Sequence, residues 1–215
     1  MIPCKYISIG YFLLMCFCTN AQSGNSIIRS ANKLFKDGKY EKAISQYKKA
    51  VEINPENPIA HYNIGNAFFS VDKWEDAAKS YDDALSKSTD ERFREKALYN
   101  KGVSFSKQKK LEESIDAYKS ALKLQPADED ARINLQKALM ELKKKMESEE
   151  KKENKEQKKE SKKPQQKDKP NPQQSKLTKK QVEQLLKALA QKEQQVQQKM
   201  QENKNRSTTQ PDKDW

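Results

Sequence analysis

Cysteine and histidine are scarce in this chain, and their scarcity removes whole classes of chemistry. The three cysteines, Cys4, Cys16 and Cys18, all lie in one apolar segment at the amino terminus. If that segment is removed on export, no thiol is left for a disulfide, a metal thiolate or cysteine catalysis. The single histidine, His61, lies in a predicted helix, where a packing role is expected rather than a catalytic one.

Motifs for catalysis and cofactor binding are also missing from the sequence. The chain has five glycines but no glycine-rich phosphate loop, no paired metal-ligand motif and no nucleophile elbow. The acidic run 128–130 is explained more simply by the helix dipole, which favours negative charge at the start of a helix, than by metal binding. We therefore expect a non-enzymatic protein with no cofactor and no metal.

Three stretches of the chain repeat one pattern of small, aromatic and alanine residues. The step is 34 residues from the first stretch to the second and 37 from the second to the third. A period near 34 residues is typical of stacked helix pairs, in which small residues let the two helices of a pair approach closely. The repeated positions are Ala31-Leu34-Tyr40-Ala43-Tyr47-Ala50, then Gly65-Phe68-Trp74-Ala77-Tyr81-Ala84, then Gly102-Phe105-Leu111-Ser114-Tyr118-Ala121.

This pattern resembles the tetratricopeptide repeat family over about residues 24–128. The resemblance implies an all-α fold, a solenoid of three helix-turn-helix repeats followed by one amphipathic capping helix, together covering residues 24–146. Asn57-Pro58 predicts a helix start, because asparagine is a favoured N-cap and proline suits the first helical position. Three extra residues near 91–93 predict a bent or loosened junction between the second and third repeats.

The first helix of each repeat carries the strongest binding signal. In peptide-binding members of this family these helices line a concave face whose asparagines bond the backbone of an extended ligand. Asn63, Asn100 and Asn134 lie at equivalent positions, 37 and 34 residues apart. An amide both donates and accepts hydrogen bonds, so it can pair with a peptide N–H and C=O, although such asparagines can also merely solvate a groove. The predicted peptide-binding groove comprises Arg29, Asn32, Tyr62, Asn63, Asn66, Phe69, Lys96, Tyr99, Asn100 and Asn134.

One subset of the family binds a free carboxyl terminus, and the sequence matches that subset only in part. Asn32, Asn63 and Lys96 agree with its carboxylate clamp. Ile28 and Asn100 stand where the clamp has cations. The resemblance therefore does not predict recognition of a terminal carboxylate.

The amino-terminal residues 1–21 have the pattern of an export signal. Lys5 precedes an apolar run from residue 7 to residue 18, and small residues follow at 19–21. The run is shorter than the roughly 20 residues that a membrane-spanning helix needs. Cleavage and export to the bacterial periplasm are the prediction, with an uncleaved membrane anchor as the alternative.

Charge divides the remainder of the chain. Residues 1–142 hold 22 Lys/Arg and 19 Asp/Glu, whereas residues 143–215 hold 21 and 12. Residues 147–176 are rich in Lys, Glu, Gln and Ser and contain three prolines, a composition typical of a disordered linker. Its start can also extend the preceding helix, because Glu147 and Lys151 are correctly spaced for pairing, until the prolines end it. The mixed charges without interleaved aromatics argue against nucleic-acid binding.

A second amphipathic helix is predicted over residues 177–203. Thr178 and Gln181 form a capping box, and apolar residues follow at helical spacing. Such a helix is marginal in water unless its apolar stripe is buried, so it is expected to fold back on the array, pair with itself or dock on another protein. Residues 204–215 are predicted to be flexible and end in Trp215, and tryptophan is a frequent interface anchor. The predicted docking residues are Val182, Leu185, Leu186, Leu189 and Trp215.

The whole layout, with the helix "LLKALAQKEQQVQQK" and the final "KDW", resembles the small exported tetratricopeptide repeat proteins of bacterial Bat-type aerotolerance clusters. In those clusters such proteins accompany von Willebrand A-domain membrane proteins and a MoxR-type ATPase. The resemblance implies an adaptor in a periplasmic complex at the inner membrane.

Two functions follow from these patterns. The first is a protein-interaction scaffold whose groove binds one partner and whose carboxy-terminal helix docks on another. The second is an envelope surface-binding protein that uses its basic tail for peripheral contact with anionic lipid or polymer.

Overall fold

The computed structural model describes residues 24–160 and 177–208, and all the regular elements in these ranges are helices. The predicted all-α fold is confirmed. The predicted export signal, residues 161–176 of the predicted linker and Trp215 lie outside the described residues. The helices are α1 (24–36), α2 (Tyr40–Ile53), α3 (Pro58–Ser70), α4 (Trp74–Ser86), α5 (Glu91–Lys107), α6 (Leu111–Leu124), α7 (Glu129–Glu160) and α8 (Lys179–Thr208).

The chain divides into two units, residues 1–131 and 132–215. In the first unit the helices form three consecutive pairs, α1 with α2, α3 with α4, and α5 with α6. Contacts of α2 with α3 and of α4 with α5 join each pair to the next. Ala43, Ala77 and Ser114, the small residues of the three second helices, are fully buried, as their role in close helix approach requires.

Local sequence explains where these helices begin and end. Gly38, Asp72 and Lys109 occupy the same place in the three intra-repeat turns and all have left-handed backbone, with φ of 73°, 58° and 60°. The Asn57 side chain accepts hydrogen bonds from the backbone N–H groups of the first turn of α3, and Pro58 is at the first helical position. The helix start predicted from Asn57-Pro58 is confirmed.

The tyrosines of the second helices lie directly over glycines of the first. A Cβ atom added at Gly65 would lie 2.6 Å from the Tyr81 ring, and one added at Gly102 would lie 2.7 Å from the Tyr118 ring. Glycine is therefore favoured at both positions, because a Cβ atom would force the buried tyrosine ring or the helix to shift.

The junction between the second and third repeats is held by hydrogen bonds rather than loosened, contrary to the sequence prediction. The extra residues lengthen α5 to 17 residues, compared with 13 for α3. The Arg94 guanidinium donates to the Leu85 and Ser88 carbonyl oxygens at 2.6 and 2.9 Å. These bonds pair the carbonyl of Leu85 in the last turn of α4, which lacks a partner within the helix, and the carbonyl of Ser88 just beyond it.

Helix α7 extends further than the sequence predicted. Its apolar face is buried at Leu135, Leu139 and Leu142, as expected of an amphipathic helix. The helix continues to Glu160, past the predicted boundary at 146, and so includes the helical extension that the spacing of Glu147 and Lys151 allows. Lysine and glutamate are good helix formers, and the first proline of this segment is Pro164.

Helix α8 begins with the predicted capping box. Gln181 N–H donates to Thr178 Oγ1 at 3.3 Å, and Thr178 N–H donates to the Gln181 side chain at 2.8 Å. Ion pairs join Lys143 to Glu183 at 3.1 Å and Glu150 to Lys179 at 2.9 Å, so within the second unit α8 runs antiparallel to α7.

This arrangement changes the interpretation of the predicted docking residues. Val182 is fully buried, while Leu185, Leu186 and Leu189 are half-buried. The Val182 side chain is therefore not accessible to a second protein, which corrects its assignment as a docking residue. None of the described helices combines the length and apolar character needed to cross a membrane.

Candidate functional site

Three cavities lie along the first helices of the repeats. The first, about 180 Å³, is lined by Asn32, Phe35, Lys36, Tyr47, Asn63 and Asn66. The second, about 330 Å³, is lined by Phe35, Asn66, Phe69, Ser70, Tyr81, Tyr99, Asn100 and Val103. The third, about 240 Å³, is lined by Tyr62, Glu95, Lys96, Tyr99, Asn100, Asp128 and Asp130. Because neighbouring cavities share lining residues, we describe them together as the groove, with a first, a central and a third cavity.

A hydrogen-bonded asparagine pair crosses from the first repeat to the second. The Asn32 Oδ1 atom accepts from the Tyr47 hydroxyl at 2.6 Å and from Asn63 Nδ2 at 3.2 Å. Tyr47 is almost fully buried, and this burial raises its pKa to about 12, so the phenol stays protonated and can donate. Asn32 is thus fixed from two sides, by its own repeat and by the next.

The same arrangement recurs one repeat later. The Asn66 Oδ1 atom accepts from the Tyr81 hydroxyl at 2.8 Å and from Asn100 Nδ2 at 3.2 Å. Asn100 Nδ2 also donates to the Tyr62 hydroxyl at 2.9 Å. Burial raises the pKa of both tyrosines, which keeps these hydroxyls neutral.

The third repeat breaks the arrangement. Val103 stands where the earlier repeats have Asn32 and Asn66, so Tyr118 has no amide at that position. Its hydroxyl lies 3.3 Å from Ser106 Oγ, which is 2.6 Å from Ser114 Oγ. A local hydroxyl network therefore replaces the asparagine, and the groove wall becomes apolar at Val103.

Two asparagine carbonyl oxygens are left open in the groove. Among the described residues, the side-chain oxygens of Asn63 and Asn100 accept no hydrogen bond, and their nitrogens are oriented by Asn32 and Asn66. Asn63 and Asn100 occupy equivalent positions in consecutive repeats. They offer a ligand two oriented acceptors without any rearrangement of the helices.

Charge is concentrated in the third cavity. Glu95, Asp128 and Asp130 line it together with one cation, Lys96. Partial burial and a hydrogen bond to the Asp128 side chain raise the pKa of the Glu95 carboxyl, while Lys96 acts in the opposite direction. Asp128 also caps α7, accepting from Ala131 N–H at 3.1 Å.

His61 has a structural position away from the three cavities. Its Nε2 atom lies 2.8 Å from the Pro55 carbonyl oxygen, and Nδ1 lies 4.0 Å from the Asp83 carboxylate. The ring connects the α2–α3 turn to α4. Within the described ranges, no group of three His, Cys, Asp or Glu side chains is arranged to hold a metal.

Most of the predicted groove residues come together. Asn32, Tyr62, Asn63, Asn66, Phe69, Lys96, Tyr99 and Asn100 all line one or more of the three cavities. Arg29 is exposed on α1 and lines none of the three, and Asn134 belongs to the second unit. Asn32 and Asn66 differ from the prediction in detail, because their carbonyl oxygens already accept two hydrogen bonds each and orient the open amides.

Sequence reasoning missed the acidic side of the groove. Glu95 lies four residues before Tyr99, a predicted groove residue on the same helix, so helical spacing could have suggested it. Asp128 and Asp130 were explained by the helix dipole, and nothing in the sequence showed that the start of α7 faces Tyr62 and Tyr99. Phe35 and Val103 lie three residues from Asn32 and Asn100, a spacing that places them on the same helix face.

Comparison with known proteins identifies the repeats. Family models match residues 31–72, as a TPR repeat, and residues 95–128, as a tetratricopeptide repeat. RNA polymerase II-associated protein 3 of Mus musculus is 30% identical over 118 residues, covering 55% of this chain and 17% of that protein. The Hsp70-Hsp90 organising protein of Plasmodium falciparum is 28% identical, with coverage of 52% and 20%. The chain thus spans about a fifth of the length of these relatives.

Solved structures give the same architecture. The first repeat domain of Spaghetti (RPAP3), bound to the HSP90 peptide SRMEEVD, is 30% identical, with a TM-score of 0.53. The match covers 56% of this chain and 94% of that one. The second such domain of human RPAP3, in complex with the HSP70 peptide SGPTIEEVD, is 26% identical, with a TM-score of 0.52 and coverage of 55% and 97%.

Proposed function

Since this chain belongs to the tetratricopeptide repeat family, we propose that it is a non-enzymatic adaptor that binds an extended segment of a partner protein in the groove. The observation that carries the proposal is the pair of open acceptors, Asn63 Oδ1 and Asn100 Oδ1, one repeat apart, with Asn100 lining the apolar central cavity. An extended peptide has backbone N–H groups for such acceptors and side chains for the cavities. The peptide complexes of the RPAP3 domains support this use of the fold.

We propose further that the adaptor acts in the bacterial envelope, in a periplasmic complex at the inner membrane. The support is the export pattern of residues 1–21 and the resemblance of the tail to Bat-type proteins. That resemblance suggests von Willebrand A-domain membrane proteins as partners. The described part of the second unit adds a helix pair, α7 with α8, whose half-buried leucines offer a second surface.

The test is capture of partners by the full chain and by a groove variant. Affinity-tagged protein is crosslinked in membrane extract, and bound proteins are identified for the wild type and for Asn63→Ala with Asn100→Ala. The matched control is Glu75→Gln, which changes an exposed residue of α4 that forms an ion pair with Lys79, four residues along the helix. We expect the double variant to lose a distinct partner that the control retains. Equal capture by all three proteins would exclude the groove as the binding site.

The alternative function, anionic surface binding through the basic tail, rests on the 21 Lys/Arg and 12 Asp/Glu of residues 143–215. It predicts binding to anionic vesicles that falls steeply with salt, because exposed charges are screened. It also predicts no effect of the double asparagine variant. Salt-sensitive vesicle binding without capture of any distinct protein would replace the adaptor with this function.

A further inference from the structure

The charge of the lining residues changes along the groove, and this change indicates which side chains a bound ligand should carry. Lys36 lines the first cavity, whereas none of the described residues that line the central cavity is charged. The third cavity carries three carboxylates, those of Glu95, Asp128 and Asp130, against the single cation Lys96. A peptide lying along the groove therefore meets an apolar environment beside an acidic one.

The central cavity suits a large apolar side chain. Its walls include the rings of Phe35, Phe69 and Tyr99 and the isopropyl group of Val103. Asn100 lies at its boundary with the third cavity, where its open oxygen can accept from the backbone of a bound segment. Backbone binding and side-chain binding thus occur side by side, as recognition of an extended peptide requires.

The third cavity suits a basic side chain. Tyr62 and Tyr99 flank the carboxylates, and a cation is attracted both to a carboxylate and to the face of an aromatic ring. Glu95 and Asp128 lie close enough to share a hydrogen bond, an arrangement that is unfavourable when both carboxyls are ionised. A lysine or arginine between them removes that repulsion.

We infer that the groove selects an extended peptide in which a lysine or arginine lies near a large apolar residue, with the basic side chain in the third cavity and the apolar one in the central cavity. This inference rests on the proposed function and names its ligand class. The two cavities share Tyr99 and Asn100, so they are adjacent. Side chains on one face of an extended peptide are two residues apart, which gives the spacing to test.

The same geometry distinguishes this groove from those of the relatives that bind SRMEEVD and SGPTIEEVD. Both of those peptides end in acidic residues. In this chain Ile28 and Asn100 are neutral where the carboxylate clamp has cations, and three carboxylates line the third cavity. An acidic peptide end would be repelled there, and like-charge juxtaposition is a general means of rejecting a wrong partner.

The test is fluorescence anisotropy with the full chain and four peptides. Two are capped heptapeptides of Gly, Ser and Ala carrying Lys and Leu two residues apart, one in each order. The third replaces Lys by Glu in the better binder, and the fourth is SRMEEVD with a free carboxyl terminus. The protein variants are Glu95→Gln with Asp128→Asn, and the control Glu75→Gln. Asparagine at 128 keeps the helix cap while removing its charge, so folding is retained.

We expect one lysine peptide to bind more tightly than the glutamate peptide and than SRMEEVD. Its affinity should fall by roughly fivefold or more in the Glu95/Asp128 variant, as expected for a lost charge pair, and stay unchanged in the control. Lys96→Gln, which removes the cation among the described residues of this cavity, should instead strengthen binding of that peptide.

Tighter binding of SRMEEVD, or a lysine peptide indifferent to the Glu95/Asp128 variant, would overturn the inference. The proposed function would survive that result if Asn63→Ala with Asn100→Ala still abolished binding of the tighter peptide. Peptide binding that is also unchanged in the Asn63/Asn100 variant would contradict both the inference and the proposed function. Failure of all four peptides to bind would also overturn the inference, and partner capture by the groove variant would then decide the proposed function alone.

Discussion

The Tyr81 hydroxyl donates a 2.8 Å hydrogen bond to the Oδ1 atom of Asn66. The tyrosine is on α4 and the asparagine on α3, while Asn100 on α5 donates to the same oxygen at 3.2 Å. One acceptor thus joins three helices and two repeats. The bond sets the orientation of a groove amide from the buried core, so the binding surface and the stability of the stack depend on the same residues.

A tyrosine-to-phenylalanine series should show that the first two repeats, whose tyrosines donate to asparagines, lose more stability than the third, whose tyrosine does not. Tyr47→Phe and Tyr81→Phe each remove a donor to an asparagine and should lower the free energy of unfolding by about 1 kcal/mol, the usual net value of a hydrogen bond. Tyr118→Phe loses weaker contacts with the serine hydroxyls, at 3.3 Å for Ser106, and should cost less. Urea denaturation followed by circular dichroism measures all three. Equal losses would show that the asparagines do not determine the energetics.

Gly65→Ala should destabilise the second repeat. The new Cβ would lie 2.6 Å from the buried Tyr81 ring, and overpacking of this kind costs roughly 1–3 kcal/mol. Gly24→Ala is the matched control, because its Cβ would meet Ile53 at an ordinary 3.7 Å. Thermal denaturation of both variants checks the prediction. A Gly65 variant as stable as the Gly24 variant would mean that the tyrosine ring can move aside.

Arg94→Ala should loosen the junction between the second and third repeats. It leaves the Leu85 and Ser88 carbonyl oxygens without the guanidinium, at a cost of roughly 1–3 kcal/mol for hydrogen bonds to a charged group. Arg92→Ala, an exposed position two residues away, should be nearly neutral. Amide hydrogen exchange would show faster exchange at the end of α4 in the Arg94 variant only. Unchanged exchange there would show that apolar packing, not the Arg94 hydrogen bonds, stabilises the junction.

Stability should fall with rising pH because of Glu95. Its folded-state pKa is raised, first by burial and then by the Asp128 side chain. The folded state therefore holds this proton more tightly than the unfolded state. The resulting stabilisation is fully present below the ordinary glutamate pKa and is lost as pH rises through the folded value.

Denaturation at about pH 4 and about pH 7 tests this dependence, because the two values bracket the ordinary range of a glutamate carboxyl. In the Glu95→Gln variant, residue 95 cannot ionise, so the stability of the variant relative to the wild type should increase from about pH 4 to about pH 7. Glu113→Gln on the exposed side of α6 should show no such increase. A stability difference that is the same at both pH values would contradict the assigned pairing of Glu95 with Asp128.

The repeats could be predicted from the sequence because the same packing contacts constrain the same positions in each helix pair. Gly65, Ala77 and Tyr81 are set by contacts within one helix pair, so each repeat shows the same constraint. The helix start at Asn57-Pro58 was equally predictable, since capping is local. The eight predicted groove residues that line the cavities followed from the resemblance to peptide-binding family members, and Asn63 and Asn100 also from their equivalent positions in the repeats.

What could not be predicted depends on contacts between distant segments. The acidic side of the groove requires Asp128, at the start of α7, to approach Glu95 on α5. The burial of Val182 depends on pairing between α7 and α8 that no local pattern encodes. The Arg94 contact was hidden by the insertion near residues 91–93, whose length alone suggested disruption.

The central claim, that the groove binds a segment of another protein, is tested most directly by site-specific photocrosslinking. A photoreactive phenylalanine analogue replaces Phe69 in the central cavity of the full chain and, as the control, Lys79 on the exposed side of α4. After irradiation in membrane extract, crosslinked peptides are sequenced by mass spectrometry. The account predicts one defined partner segment at position 69 and none at position 79. The same products at both positions, or none at position 69, would contradict it.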